Sequence, residues 1–459
     1  MIRHMLILGA TGDLSLRYLL PALAHLRRAD DLPEDFVVEC LGRDDTGTEA
    51  YRALAAEGLA EHAPELPRES RDALTKTLRY HRANVTDPGR ISAVLGETHG
   101  PVVAYLSLPP QVFAPAIEAL AAAGLPEGSR VVVEKPFGED LASARELNRL
   151  LRAAFPEEAV FRVDHFLGLQ TVQNVLGLRF ANRLFEPLWN REHIDRVEIV
   201  WEETLALEGR AGYYDAAGAL KDMIQNHLLQ LLCLVGMEPP ATLRERDLRD
   251  RKVELLRAVR SPSPEEAGRQ TIRARYSAGR IGDREVPAYA EEEGVDPERG
   301  TETFAEVTLT VDNPRWSGVP FVLRSGKALS RDRAEVAIRF RPASHPTFGQ
   351  EAEPNVLRLR LEPDSVSLGV NVNGPGDPFV LEKIELSAEL APQGMPAYAR
   401  LLLDALEGDP TLSIRADEAE ESWRIVEPVL RAWERNRVPL LEYPAGSDGP
   451  GQGSPHPLT

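Results

Sequence analysis

At 459 residues the chain exceeds the length at which one hydrophobic core usually stops growing, so two domains are expected, each burying a core of its own. Its 53 basic and 72 acidic side chains leave a formal charge of −19, which repels nucleic-acid backbones and anionic lipid surfaces and argues against both as partners. An anionic small molecule can bind only where cations are gathered locally against that field.

The first apolar run, Met5-Leu6-Ile7-Leu8, ends in Gly9-Ala10-Thr11-Gly12-Asp13-Leu14, after which Leu16, Leu19, Leu20, Leu23 and Leu26 recur at helical spacing. This predicts strand, turn, helix. The chain starts almost directly with that strand, without a basic-then-apolar leader, and holds no run of about twenty apolar residues, so a cytoplasmic protein is expected. Further strands are predicted at 36–41, closing on Gly42-Arg43, at 102–108, and at 130–133, closing on Glu134-Lys135-Pro136. Strands alternating with helices predict an α/β, doubly wound dinucleotide-binding domain over residues 1–161.

Beyond it, alternating segments at 197–201, 304–309, 336–340 and 356–361 suit a large antiparallel sheet with one solvated face. With a helix over 222–235 packed on it, they predict an α+β domain over 162–445. The tail 446–459, rich in Gly, Ser and Pro, is expected to be flexible. Cys40 and Cys233 both sit in apolar runs and read as buried free thiols. No metal site is expected, because the ten histidines do not cluster with cysteines or carboxylates at ligand spacing.

Gly9 and Gly12 let the backbone turn sharply and approach a pyrophosphate, which the following helix start holds through its free amides. Cofactor choice is read at the end of the second strand, where an arginine suits an adenosine phosphate and an acid suits a free ribose hydroxyl. There Arg43 favours NADP, while Asp44 and Asp45 leave NAD open. Lys135 follows the fourth predicted strand and so stands at the carboxyl edge of the sheet, where ligands bind. The chain has only six lysines, which makes a plain surface role for it less attractive.

Two strings carry the chemistry: Arg162-Val163-Asp164-His165-Phe166-Leu167-Gly168 and Asp222-Met223-Ile224-Gln225-Asn226-His227. A carbinol gives up hydride only if a base removes its hydroxyl proton, and a neutral imidazole held in one tautomer by a carboxylate suits that task. Asp164 and His227 are 63 positions apart, so any contact between them comes from the fold. Asp222 and His227 are five apart, about 140° around an α-helix, and do not face one another there.

The strings G-A-T-G-D-L at 9–14, E-K-P-F-G at 134–138, R-V-D-H-F-L-G at 162–168 and D-M-I-Q-N-H-L-L-Q at 222–230 occur in order, and R-A-G-Y-Y-D at 210–215 and R-S-G-K-A-L at 324–329 extend the pattern. Over nearly its whole length the chain resembles the glucose-6-phosphate dehydrogenase family. The resemblance implies His227 as general base with Asp164 as its orienter. Lys135, His165, Glu203, Asp222 and Lys327 would contact the sugar. Gly9, Thr11, Gly12, Asp13, Leu14, Arg43 and Lys135 would hold NADP, or NAD. It also implies a site between the domains and a homodimer or homotetramer built on the large sheet.

The chain departs from the family where the sugar's phosphate would bind. The family reads R-I-D-H-Y-L-G-K, and here Phe166 lacks the hydroxyl and Leu169 the charge. Each hydrogen bond to a charged group is worth roughly 1.5–3 kcal/mol, so losing both weakens phosphate binding by about two to four powers of ten unless something compensates. Gln170 replaces a family acid, and Asp332 stands where a basic side chain is usual, flanked by Arg331 and Arg333, so that a shift by one residue is one way to restore the contact. Three readings follow. The first is a hexose 1-dehydrogenase that makes a lactone, the second a dehydrogenase of an unphosphorylated or modified sugar, and the third a cofactor-binding regulatory protein without turnover.

Overall fold

The computed structural model describes residues 1–451 apart from 210, 346, 349–351 and 378. Arg210 of the family-like string and residues 452–459 of the expected tail therefore lie outside the described residues. The chain forms two compact units, one of residues 1–170, 240–250 and 393–420, the other of 171–239, 251–392 and 421 onward.

The first unit is built on six strands: β1 (His4–Leu8), β2 (Val37–Gly42), β3 (Leu78–Arg82), β4 (Val102–Leu106), β5 (Arg130–Glu134) and β6 (Val160–Val163). They lie in the order β3-β2-β1-β4-β5-β6, and all pairs are parallel. This is the doubly wound order of a dinucleotide fold. Met5 sits opposite Val38 on one side and Val103 on the other, and the central strands β1 and β4 are buried at every position after His4, as continuous apolar runs require.

Two of these strands are absent from the sequence-based expectation. Leu78-Arg-Tyr-His-Arg82 is polar because β3 is an edge strand, buried at alternate residues only. β6 is four residues long and ends inside the string assigned to the second domain, so the first unit runs to 170 where a boundary at 161 was expected. Its later segments return for a hydrophobic reason. The helix Ala397–Glu407 buries Ala399, Leu401, Leu402 and Leu406 in the core that also holds Leu23 and Leu26, and the Leu406 carbonyl accepts from the Ile2 amide at 3.2 Å.

The second unit contains β7 (Ile194–Glu202), β8 (Val259–Arg260), β9 (Thr271–Ser277), β10 (Gly279–Ile281), β11 (Arg284–Val286), β12 (Phe304–Val311), β13 (Pro320–Gly326), β14 (Arg333–Phe340), β15 (Val356–Glu362), β16 (Asp364–Asn373), β17 (Leu381–Glu389) and β18 (Leu440–Pro444). Its large sheet runs β17-β16-β15-β14-β7-β13-β12-β9-β18, with β8 beside β12. It is antiparallel except at β7/β13 and β9/β18, which bears out the α+β expectation. The first part of the expected flexible tail is tied down, since Gly446 N donates to Ala328 O at 2.8 Å and Ser330 N to Ser447 O at 2.9 Å. Both cysteines are buried and free, and burial pushes the Cys40 thiol up to about 12. Among the described residues no helix is long and apolar enough to cross a membrane.

Candidate active site

In the first unit the turn after β1 has one conformation open to it. Gly9 has φ +90°, and a Cβ there would lie 2.1 Å from the Ser107 carbonyl oxygen. The Gly9 and Ala10 amides donate to Leu41 O at 2.9 and 3.0 Å, Gly12 N donates to Gly9 O at 3.1 Å, and Ser15 Oγ donates to Gly9 O at 3.1 Å and shares a hydrogen bond with Ser107 Oγ at 2.9 Å. The turn is thus pinned to the carboxyl ends of β1, β2 and β4, and the chain is helical from Asp13 to Arg28. A helix start approached this closely by bare backbone fits a pyrophosphate. Thr11 and Asp13 sit on the turn, and Leu14 packs against the core. Arg43 stands exposed past the end of β2. Of the two acids beside it, Asp45 pairs with Arg82 at 2.8 Å and the Asp44 carbonyl accepts from the Tyr80 hydroxyl at 3.0 Å.

Lys135, half-buried, follows β5, and Asp164 and His165 follow β6, so all three reach the carboxyl edge of one sheet. Asp164 is 1% exposed, and one carboxylate oxygen accepts from Phe166 N at 3.0 Å, which fixes the side chain against the turn it begins. The His165 ring stacks on Tyr398 at 5.7 Å and meets Phe166 edge-on at 5.0 Å. Phe166 is itself buried, 3% exposed, and Leu169 is half-buried.

Sequence reasoning missed Glu134. Buried at the end of β5, it accepts a short hydrogen bond from the Tyr105 hydroxyl, and burial pushes its carboxyl up to about 7, against the lowering influence of Tyr105 and Lys135. The available signal was an acid closing the apolar run Val131-Val132-Val133 beside a lysine.

In the second unit, Asp222 and His227 stand on a π-helix, Leu220–Leu228, which continues as the α-helix Leu229–Gly236. This corrects the separation expected at α-helical pitch. Hydrogen bonds from i to i+5 widen each turn and bring residues five apart to the same side. His227 is 1% exposed, and Asp222, half-buried, accepts from the Tyr213 hydroxyl at 3.3 Å. Glu302 holds the start of this helix, accepting from Leu220 N at 3.0 Å, and burial pushes its carboxyl up to about 7. Gly218 has φ +69°, and a Cβ there would fall 2.4 Å from that carboxylate.

Glu203 and Lys327 meet as a consequence of pairing. β7 and β13 are parallel neighbours with Glu202 opposite Gly326, so the next residue of each emerges at the same edge. Lys327 Nζ lies 2.7 Å from Glu203 Oε2 and 5.5 Å from the centre of the Tyr214 ring. Of the two arginines that flank Asp332, Arg333 is engaged within the sheet. Asp332 accepts from Thr204 N at 2.6 Å, and Arg333 is bound to Glu335 at 2.8 Å with Glu198 and Glu202 within 3.9 Å. Asp332, Arg333, Glu335, Glu198 and Glu202 line a cavity of about 540 Å³ on the large sheet whose lining includes neither His227 nor Asp222.

The chain is similar to known proteins over nearly its whole length. Residues 6–174 match the family description "Glucose-6-phosphate dehydrogenase, NAD binding domain" and residues 176–455 match "Glucose-6-phosphate dehydrogenase, C-terminal domain". A glucose-6-phosphate 1-dehydrogenase of Mycolicibacterium smegmatis is 43% identical, covering 97% of this chain and 93% of its own. One of Treponema pallidum is 41% identical, covering 97% and 92%. Among solved structures, a glucose-6-phosphate dehydrogenase in complex with its substrate glucose-6-phosphate superposes with a TM-score of 0.90 at 30% identity, over 99% of this chain and 98% of its own. A glucose-6-phosphate 1-dehydrogenase from Mycobacterium avium superposes with a TM-score of 0.88 at 37% identity, over 98% and 95%.

Proposed function

The chain belongs to the glucose-6-phosphate dehydrogenase family, and from that premise we propose that it oxidises carbon 1 of glucose 6-phosphate to the lactone, with NADP preferred over NAD. His227 takes the proton of the carbon 1 hydroxyl as the carbinol C–H gives up its electron pair and the C=O bond forms. The bound nicotinamide supplies the hydride acceptor. Asp164 orients the imidazole and stabilises the imidazolium. Lys135, Glu203, Asp222 and Lys327 hold the sugar's hydroxyls, and His165 with the lysines faces its phosphate. Gly9, Thr11, Gly12, Asp13 and Leu14 cradle the pyrophosphate, a role supported by a turn that no Cβ can enter at Gly9. Arg43, exposed past the end of β2, supports NADP.

The observation that carries the reading is continuous similarity across 97% of the chain, at 41–43% identity, to relatives bearing this activity's name, with Asp164, His165, His227 and Lys135 all present. A sugar without phosphate, argued from Phe166 and Leu169, and a silent regulatory protein are therefore not preferred. Self-association through the large sheet belongs to the same proposal. It is supported by the edge strand β17, on which Ile384 and Leu386 are 39% and 56% exposed beside open backbone groups.

The test is a spectrophotometric comparison of specificity constants for glucose 6-phosphate and glucose with each cofactor. A preference of at least about two powers of ten for the phosphorylated sugar is expected, the worth of roughly two charged hydrogen bonds. Equal use of the two sugars would return the reading to the unphosphorylated substrate, and binding of cofactor without its reduction by either would return it to the silent protein.

A further inference from the structure

We propose that Arg82 and Arg90 join Arg43 in a pocket of three guanidiniums that binds the 2′-phosphate of the cofactor's adenosine ribose, an inference that rests on the NADP preference proposed above. Parallel pairing sets Gly42 opposite Arg82, and Ala83 N donates to Gly42 O at 2.8 Å, so the chain leaves β2 and β3 side by side. Arg43 and Arg82 are thereby neighbours across two adjacent strand ends. The helix Pro88–Leu95 begins six residues after Arg82 and carries Arg90 in its first turn. Together Arg43, Arg82, Ala83, Asn84, Asp87 and Arg90 line a cavity of about 390 Å³.

The charge balance of this cavity is what points to a ligand. Asp87 is committed to the helix start, where one carboxylate oxygen accepts from Gly89 N at 2.9 Å and Arg90 N at 3.3 Å. Arg82 pairs with Asp45, but both are largely exposed, at 61% and 82%, and such a pair is worth little and exchanges readily. Among the described residues, neither Arg43 nor Arg90 has a carboxylate partner, in a chain that has 72 acidic side chains to supply one. Two guanidiniums without a carboxylate partner, beside a third whose exposed ion pair exchanges readily, suit a dianion even against a net charge of −19, and guanidiniums bind phosphate oxygens in pairs. The Asn84 side-chain oxygen Oδ1 accepts from Thr86 N at 3.2 Å and Thr86 Oγ1 at 3.0 Å, which turns its amide donors away from that turn.

The test uses the full-length enzyme with Arg82→Ala, Arg90→Ala and both together, with Arg43→Ala as reference. Steady-state constants are measured for NADP and NAD, and dissociation constants for adenosine 2′,5′-bisphosphate and AMP. Each single substitution should raise the KM for NADP and the Kd of the bisphosphate about five- to thirtyfold, from the worth of an exposed ion pair to the lower part of the range for a charged hydrogen bond. The constants for NAD and AMP should move far less. Arg82→Lys should recover part of the loss. If the double variant leaves NADP within twofold of wild type while Arg43→Ala does not, Arg43 acts alone and the proposal is wrong. Equal losses with NADP and NAD would make the arginines structural and also overturn it. If the wild-type enzyme binds the bisphosphate no better than AMP, the NADP reading itself has failed, and this inference with it.

Discussion

In the first unit the candidate residues stand on turns at the carboxyl ends of parallel strands: Gly9 to Leu14 after β1, Arg43 after β2, Lys135 after β5, Asp164 and His165 after β6. In the second they stand on a π-helix and at the ends of two strands whose contributing residues, Glu203 and Lys327, are 124 positions apart. The first arrangement is local, since each group follows its own strand, and the sheet order alone brings the groups to one edge. The second depends on register. A slip of one residue between β7 and β13 would separate Glu203 from Lys327, and a helix at α pitch would turn Asp222 away from His227. Binding of the cofactor should therefore survive changes that remove chemistry on the sugar, and the reverse should also hold.

The largest effect expected from this contrast is at His227. His227→Asn should lower kcat by about two to four powers of ten, the usual size of a general-base contribution, while the cofactor Kd stays near wild type. Asp164→Asn should cost less, because the base remains with poorer orientation. Stopped-flow turnover combined with a fluorescence titration of cofactor measures both, and turnover within a few fold of wild type would remove His227 from its role.

A smaller and opposite split is expected at Gly9. Gly9→Ala forces a side chain against the Ser107 carbonyl at φ +90°, strain of roughly 1–3 kcal/mol. It should weaken cofactor binding about ten- to hundredfold, with little change in kcat at saturating cofactor. Unchanged cofactor affinity would mean that the turn after β1 does not touch the cofactor.

The smallest effect concerns the carboxyl group buried at the start of the second unit's π-helix. Burial raises Glu302 from 4.5 to about 7, partly offset by Leu220 N, Arg273 and Lys221. The unfolded chain ionises this group near 4.5, so its contribution to stability is complete below that pH and is lost as pH rises through about 7. Glu302→Gln cannot titrate but can still accept from Leu220 N. Its melting temperature should therefore gain on wild type by a few degrees between about pH 4.5 and 7, and then level off. A difference independent of pH would show that Glu302 is ionised in the folded protein throughout that range.

Much of the first unit was legible because its signals are local. An apolar run closing on Gly9-Ala10-Thr11-Gly12 encodes a strand, a turn and a helix start within a few residues. β3 and β6 were not legible, since an edge strand needs apolar residues at alternate positions only and a four-residue strand offers too short a pattern. Nor was the return of residues 397–407 to the first core, because an amphipathic helix declares an apolar face and not the surface that will cover it.

The sequence by itself determined the family and the two fold classes, and it offered the candidate chemical groups, since Asp164, His165, His227, Lys135 and Lys327 all lie within contiguous family-like strings. Only the tertiary structure decided that Glu203 pairs with Lys327, that Arg333 is taken by Glu335, that Asp222 and His227 share a side of a π-helix, and that three arginines surround one cavity. The reason is physical. Residue type and short-range order are properties of the chain, but partners far apart in sequence are chosen by strand register, helical pitch and burial, which exist only once the chain has packed.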